Sequence, residues 1–382
     1  MALPAILTRP FRLQGADLEP RLVLLCRLLA LTLLFTWHVQ YLQTPFLSFV
    51  PFLEDLPGVA FRRTLQVTVV AGSLAMLFLA RIRLAALLTG VALLLAVLSS
   101  RTYFGNNKTF TALLLLLAAV GDARLLRWQV AILYFGAGLN KALDPDWHSG
   151  QFFDHWASER LQNAFYLWAA PLLPPLVLGK LFCWMTIGVE LALAGLMLFR
   201  RWAWPAIWIS ALFQCGLVLF TGQTFTLFFF ASQIALLAFV EWPKEPITVI
   251  WDGECGFCAQ ARDRISQFDP DGLFDWVAQQ TGIGQRWGLN REALANAMYT
   301  VSGERIRSGY AAFRAIFVWL PAFWYAALAT VVLAPRPAVL LLLLFLTPLS
   351  NPIGESVYRW VARNRHRFGD QTCAVPPGPR PS

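Results

Sequence analysis

A chain of 382 residues that is 57% hydrophobic and 14% charged, with 30 Phe and 16 Trp, is too apolar for an ordinary soluble protein, in which about 25% of residues are charged. The formal net charge of +9 does not point to nucleic acid, because no basic patch with interleaved aromatic residues accompanies it. Composition instead predicts an integral membrane protein with a polar portion attached, whose first partner is the lipid bilayer and whose excess Lys and Arg gather in cytoplasmic loops.

No cleavable signal peptide is expected at the N-terminus. Apolar runs at about 22–42, 64–80, 84–99, 109–121, 128–141, 176–199, 203–221 and 224–241 predict eight spans, the fourth and fifth of them short. With the N-terminus in the cytoplasm, the short inner loops hold the basic pairs Arg9/Arg12, Arg81/Arg83, Arg124/Arg127 and Arg200/Arg201. In the outer loops Arg62, Arg63, Arg101, Lys108 and Arg160 are diluted by Glu54, Asp55, Asp144, Asp146, Asp154 and Glu159. This bias predicts a cytoplasmic-membrane protein with both termini inside.

Lys141 closes the fifth apolar run. A lysine there either snorkels to the interface or has chemical work to do. In the next outer loop Pro145 and Trp147 read as a turn and an interfacial anchor. His148 and His155 flank Asp144, Asp146 and Asp154 as parts of a solvated polar loop, and no metal site is expected. Cys26, Cys183 and Cys215 lie in apolar runs and read as small buried hydrophobes. The six cysteines are too scattered for a secreted disulfide framework.

Composition turns polar over 242–310. Strands are predicted at about 246–251, 273–278, 297–301 and 304–308, the last two joined through Ser302-Gly303-Glu304, with helices at about 257–268 and 290–297. This order predicts a compact α/β or α+β domain. The first strand runs into Asp252-Gly253-Glu254-Cys255-Gly256-Phe257-Cys258 and a helix follows at once. A thiol at a helix N-terminus is held toward the reactive thiolate by the helix dipole and the unpaired N–H groups. Three readings of this C-x-x-C are open: a redox dithiol, half of a zinc site completed by His366 and Cys373, or two unconnected thiols. As a dithiol, Cys255 is expected to attack and Cys258, one turn on, to resolve the mixed disulfide. Asp252 serves either as proton acceptor in that step or as a turn and cap residue. Cys373 is expected to be idle.

From Phe317 to Leu349 the chain is apolar again, broken by Pro321, Pro335, Pro337 and Pro348 into halves too short to span. A hairpin that dips into the membrane and returns is expected, followed by a basic stretch (Arg359, Arg363, Arg365, Arg367) and a disordered tail over 376–382. No Gly-rich phosphate loop is present.

Two resemblances add to this reading. Asp252 through Cys258, together with Val357-Tyr358-Arg359-Trp360-Val361-Ala362-Arg363-Asn364-Arg365 and the lone Cys373, resembles the DCC thiol-disulfide oxidoreductases over roughly 246–375. The resemblance implies a thioredoxin-like fold and protein-disulfide reductase chemistry. It implies no required cofactor, and a protein disulfide as substrate or a cytosolic thiol as donor. No proline precedes the predicted hairpin, where thioredoxins carry one that contacts substrate.

The run Tyr134-Phe135-Gly136-Ala137-Gly138-Leu139-Asn140-Lys141, with Asp144-Pro145-Asp146-Trp147 and Gly150 after it, resembles the HTTM family, whose transmembrane domain is shared with vitamin K-dependent gamma-carboxylases. That resemblance spans roughly 20–240 and aligns Lys141 with the carboxylase lysine that acts as a base toward reduced vitamin K. Lys108 stands where carboxylases carry histidine, Gln214-Cys215 replaces His-Cys, and the large substrate-gripping domain is absent, so glutamate carboxylation is not expected. Binding or modification of a quinone or other lipid-soluble ligand through Lys141 is the alternative function.

The resulting expectation is a membrane domain over 1–241 and a thioredoxin-like α/β domain over 246–375, with the apolar hairpin at 317–349 inserted.

Overall fold

The computed structural model describes residues 4–36, 58–99, 106–222, 227–290, 293–294, 297–347 and 350–364. His366, Cys373, Arg365, Arg367, the 376–382 tail, the end of the predicted first span, the start of the eighth and part of the 290–297 helix lie outside the described residues, as do Glu54, Asp55 and Arg101. The chain divides into two compact units. One comprises 16–240 with 330–340, and the other 1–15, 241–329 and 341–382.

The first unit is helical. In chain order it contains α1 (Pro20–Thr36), α2 (Gly58–Phe78), α3 (Ile82–Leu98), α4 (Asn106–Val120), α5 (Ala123–Ala142), α6 (Val177–Leu196), α7 (Ala203–Thr221) and α8 (Leu227–Ala235). Each of the eight predicted apolar runs overlaps one of these helices. α3 packs along α2 and α4, and α6 along α5. Small residues permit the close approaches: a methyl at Gly138 of α5 would press on Leu191 and Glu190 of α6. Between α5 and α6 the chain makes short helices around an aromatic cluster, in which Phe153 stacks on Phe182 at 4.7 Å with Tyr166 and Phe220 against them.

The expectation of eight spans is not met. Among the described residues two helices are long and apolar enough to cross a bilayer, Val177–Leu196 and Arg200–Thr221. Two bent pairs raise the number to four only if each pair counts as one span: Gly309–Trp319 with Pro321–Leu333, bent by 82°, and Pro335–Leu346 with Asn351–Asn364, bent by 83°. The reason is length and charge. At about 1.5 Å per residue, the 17 residues of α3 reach about 26 Å, short of a hydrocarbon core of about 30 Å. α2 carries Arg62 and Arg63 in its second turn, and α5 carries Arg124, Arg127 and Lys141.

The second unit is built on a four-stranded sheet of β1 (Ile247–Trp251), β2 (Phe274–Ala278), β3 (Tyr299–Ser302) and β4 (Arg305–Ser308), in the order β2-β1-β3-β4. β1 and β2 are parallel, so the chain between them must cross over, and α9 (Gly256–Ser266) makes the crossing. β3 is antiparallel to both β1 and β4. β1 is central and apolar because it is covered on both faces. Ile247 and Val249 pack with Phe274 and with Ile316 of α10 (Gly309–Trp319), while Ile250 packs with Leu294 and Val301. After α10 come α11 (Pro321–Leu333), α12 (Pro335–Leu346) and α13 (Asn351–Asn364). The N-terminal segment joins this unit: Asp271 accepts from the backbone N–H groups of Leu13 and Gln14, and the Tyr325 hydroxyl donates to the Pro10 carbonyl at 2.8 Å.

Candidate functional site

The C-terminal end of β1 presents the first group of predicted residues. Past Trp251 the chain leaves the sheet at Asp252, whose Oδ1 accepts from the Glu254 N–H at 3.2 Å and whose carbonyl accepts from the Cys255 N–H at 3.2 Å. These bonds close the turn that reverses the chain into α9. Cys255 is the N-cap of α9, with extended backbone (φ −93°, ψ 113°), and its carbonyl accepts the first helical bond, from Ala259 at 3.0 Å. Cys258 follows in the first turn, so spacing i, i+3 puts both sulfurs on one side of the helix start. No disulfide joins the two cysteines. Cys255 is fully buried, at 0% exposure, and Cys258 is half-buried. The thiol with the favoured helix-terminal position is thus the less accessible of the pair.

Asp252 is held from the neighbouring strand. The Gln280 Nε2 donates to Asp252 Oδ1 at 3.1 Å, and Gln280 Oε1 accepts from the Gly253 N–H at 3.2 Å. Parallel pairing puts Trp251 opposite Ala278, so the turns after both strands emerge side by side. A methyl at Gly253 would lie 2.8 Å from the Ala278 Cβ and 2.9 Å from Gln280 Oε1, which is why the turn takes glycine there. Beneath the turn, the Arg262 guanidinium lies over the Trp251 ring at 4.6 Å. Sequence reading did not find Gln280. Its only signal is its place just beyond β2, which becomes informative once the parallel register is known.

Lys141 sits in the other unit, near the end of α5. Its Nζ donates to both carboxylate oxygens of Glu190 on α6, at 2.9 and 2.8 Å, and lies 5.2 Å from the centre of the Trp147 ring. The side chains are 23% and 9% exposed. Simple snorkelling therefore does not describe this lysine; it is an ion-paired residue between two packed helices. Nearby on α5 and α7, the Tyr134 hydroxyl is 2.7 Å from Ser210 Oγ, and the Gln214 Nε2 donates to it at 3.4 Å. Glu190, the sole carboxylate in an apolar helix, carried a visible signal that sequence reading passed over.

The outer-loop residues have local roles. Asp144 caps the short helix Pro145–Ser149. Asp154 accepts from the Tyr166 hydroxyl at 2.8 Å, and burial raises the pKa of that phenol. His155 pairs with Glu159 at 3.0 Å, and His148 bonds the Ala142 carbonyl and stacks on Trp184. Trp147 stacks on Phe152 at 4.3 Å. Among the described residues no three His, Cys, Asp or Glu side chains stand close enough to hold a metal ion.

Comparison with known proteins bears on both units. Residues 249–371 match the family model of the DCC1-like thiol-disulfide oxidoreductases, and residues 118–242 match that of the HTTM domain. The two resemblances read in the sequence are thus shown, in the same order along the chain. Over 136 aligned residues that cover 34% of this chain, it is 26% identical to "Uncharacterized protein YuxK" of Bacillus subtilis (strain 168), of which 87% is covered. No solved structure matches the chain.

Proposed function

We propose that this chain is a membrane-bound thiol-disulfide oxidoreductase of the protein-disulfide reductase type. The observation that carries the reading is the placement of Cys255 as N-cap and Cys258 in the first turn of a helix that opens directly from a central strand. The segment that holds them matches a family of thiol-disulfide oxidoreductases. The order β2-β1-β3-β4, with one parallel and two antiparallel pairings, supports a thioredoxin-like fold.

In this reading the Cys255 thiolate attacks one sulfur of a protein disulfide, forming a mixed disulfide and releasing the other sulfur as a thiolate. Cys258 then attacks Cys255 Sγ, which frees the second substrate thiol and leaves a Cys255–Cys258 disulfide. Two electrons pass to the substrate, Asp252 takes the Cys258 proton, and a cytosolic thiol donor restores the dithiol. Because Cys255 is buried, the Asp252–Cys255 turn must open for substrate to reach it.

The test is a redox titration of the full chain in membranes, read by thiol alkylation. A reversible two-electron transition within about −120 to −270 mV, lost in Cys255→Ser and in Cys258→Ser, is expected. A pair that stays reduced across that range rejects the proposal.

The Lys141–Glu190 ion pair favours a second reading, in which the HTTM-like unit binds a quinone or another lipid-soluble ligand at Lys141. A buried pair of charges between packed apolar helices is costly to maintain, and in a membrane protein an ionisable pair of this kind is the usual mark of a functional site. Purified protein that carries no quinone and binds none when it is added would end this reading.

A further inference from the structure

The last described helix has two unlike faces. Toward the sheet unit α13 is anchored by specific contacts. Glu355 Oε2 accepts from the Tyr310 N–H at 3.1 Å, and the Tyr358 hydroxyl accepts from the Met298 N–H at 2.9 Å. Gly354 lies so close to the Tyr310 ring that a methyl group there would collide with it. These contacts fix the rotation of the helix about its axis, so its other face is fixed as well.

That other face is apolar and exposed. Ile353 is 72% exposed, Val357 56% and Trp360 56%. At about 100° per residue, spacings of four and three put the three side chains within an arc of about 60°. Beside them on the same wheel stand Arg359 and Arg363, also exposed, whose long stems can lie along the apolar stripe. The Arg359 Nε lies 3.8 Å from Glu355 Oε1, an exposed pair of the kind that is worth little in water and leaves the guanidinium able to meet a second anion. Arg365 and Arg367 follow in the sequence. Four residues separate α13 from α12, which reads Pro335-Arg336-Pro337-Ala338-Val339-Leu340-Leu341-Leu342-Leu343-Leu344-Phe345-Leu346 and is almost wholly apolar.

We infer that α13 is an interfacial helix, its Ile353–Val357–Trp360 stripe set among lipid acyl chains and its arginines on anionic phospholipid headgroups. Three observations select a bilayer surface as the occupant. An apolar stripe beside a basic strip is the pattern of helices that lie in the membrane interface. Tryptophan and arginine are the residues that favour headgroup depth. The apolar helix just ahead in the chain delivers α13 to that surface. Because α13 is rigidly anchored through Glu355 and Tyr358, such a contact would hold the dithiol unit against the membrane in one orientation. This goes beyond the redox proposal, and its test does not read thiol chemistry.

The experiment places the photoreactive amino acid p-benzoylphenylalanine at Val357 in the full chain, and at the exposed hairpin residue Glu304 as control. The proteins are reconstituted in nanodiscs of phosphatidylcholine alone or with phosphatidylglycerol. Expected is a phospholipid adduct at position 357 at least fivefold above that at 304. The yield should rise severalfold with phosphatidylglycerol and fall back in the R359Q/R363Q variant. Adducts at 357 to the chain's own C-terminal residues, to a second copy or to another protein overturn the inference. So does a lipid yield equal to that at 304, or one indifferent to phosphatidylglycerol and to the arginines. Preserved hydrogen-exchange protection in β1 and α10 shows that the variants are folded, so that loss of the lipid adduct reads the surface itself.

Discussion

Removing either member of the Lys141–Glu190 pair should destabilise the helical unit more than removing both. At 2.8 Å and an effective dielectric near 20, the gross attraction is about 6 kcal/mol. Desolvation of two ions between packed helices costs several kcal/mol each and offsets most of it. The net worth of the intact pair is therefore small, whereas a stranded charge costs about 3–5 kcal/mol. Exposure ranks the two single variants. In Glu190→Gln the stranded lysine is 23% exposed and can turn toward solvent, so the cost should lie near 2–3 kcal/mol. In Lys141→Met the stranded carboxylate is 9% exposed, so the cost should lie near the upper end of that range. The double variant strands no charge and should cost less than either single change, leaving a coupling of several kcal/mol. Denaturant unfolding of the purified protein in detergent, followed for all four proteins, measures the cycle. Additivity within about 0.5 kcal/mol, or Glu190→Gln costing more than Lys141→Met, would refute the reasoning.

Gly253→Ala should cost about 1–3 kcal/mol through overpacking, because the added methyl meets Ala278 and Gln280. It should also speed alkylation of the buried Cys255 by loosening the turn above it; unchanged stability with unchanged alkylation would show that the turn is not tightly fitted. A pH dependence is expected from Asp269. Burial raises its pKa, outweighing the bonds it accepts from Phe274 and Leu273, both at 2.9 Å. A carboxyl raised in the folded state contributes stability that is full below its unfolded pKa of about 3.9 and is lost as pH rises through the folded value. The stability of the wild type relative to Asp269→Asn should therefore be greater at acid pH than at neutrality. A difference that grows toward neutrality would reverse the sign and refute the assignment.

Local signals along the chain were enough for much of the dithiol unit. An apolar β-branched run, Asp-Gly, two cysteines and a helical run dictate strand, turn and N-cap by short-range sterics and hydrogen bonding. The structure has β1, the Asp252 turn and α9 in that order. The hairpin at Ser302-Gly303-Glu304 was legible for the same reason: Gly303 has φ +56°, a conformation that glycine adopts at little cost. The positions of the apolar helices also follow from composition. How many of them can cross a bilayer does not, because that depends on where each helix ends, and the ends are set by packing and capping.

The residues that complete the two sites were decided by tertiary structure. Gln280 reaches Asp252 only because parallel pairing aligns the ends of β1 and β2, across 28 residues of sequence. Glu190 meets Lys141 only because α6 packs along α5, across 49 residues. The burial of Cys255 likewise depends on the fold around it and cannot be read from the C-x-x-C spacing. The sequence by itself determined which chemical groups the chain carries and the local geometry of the turn that holds two of them, since turns and caps depend on near neighbours. Which groups face each other, and which are hidden from solvent, only the folded chain decided, since both are properties of surfaces brought together from distant segments.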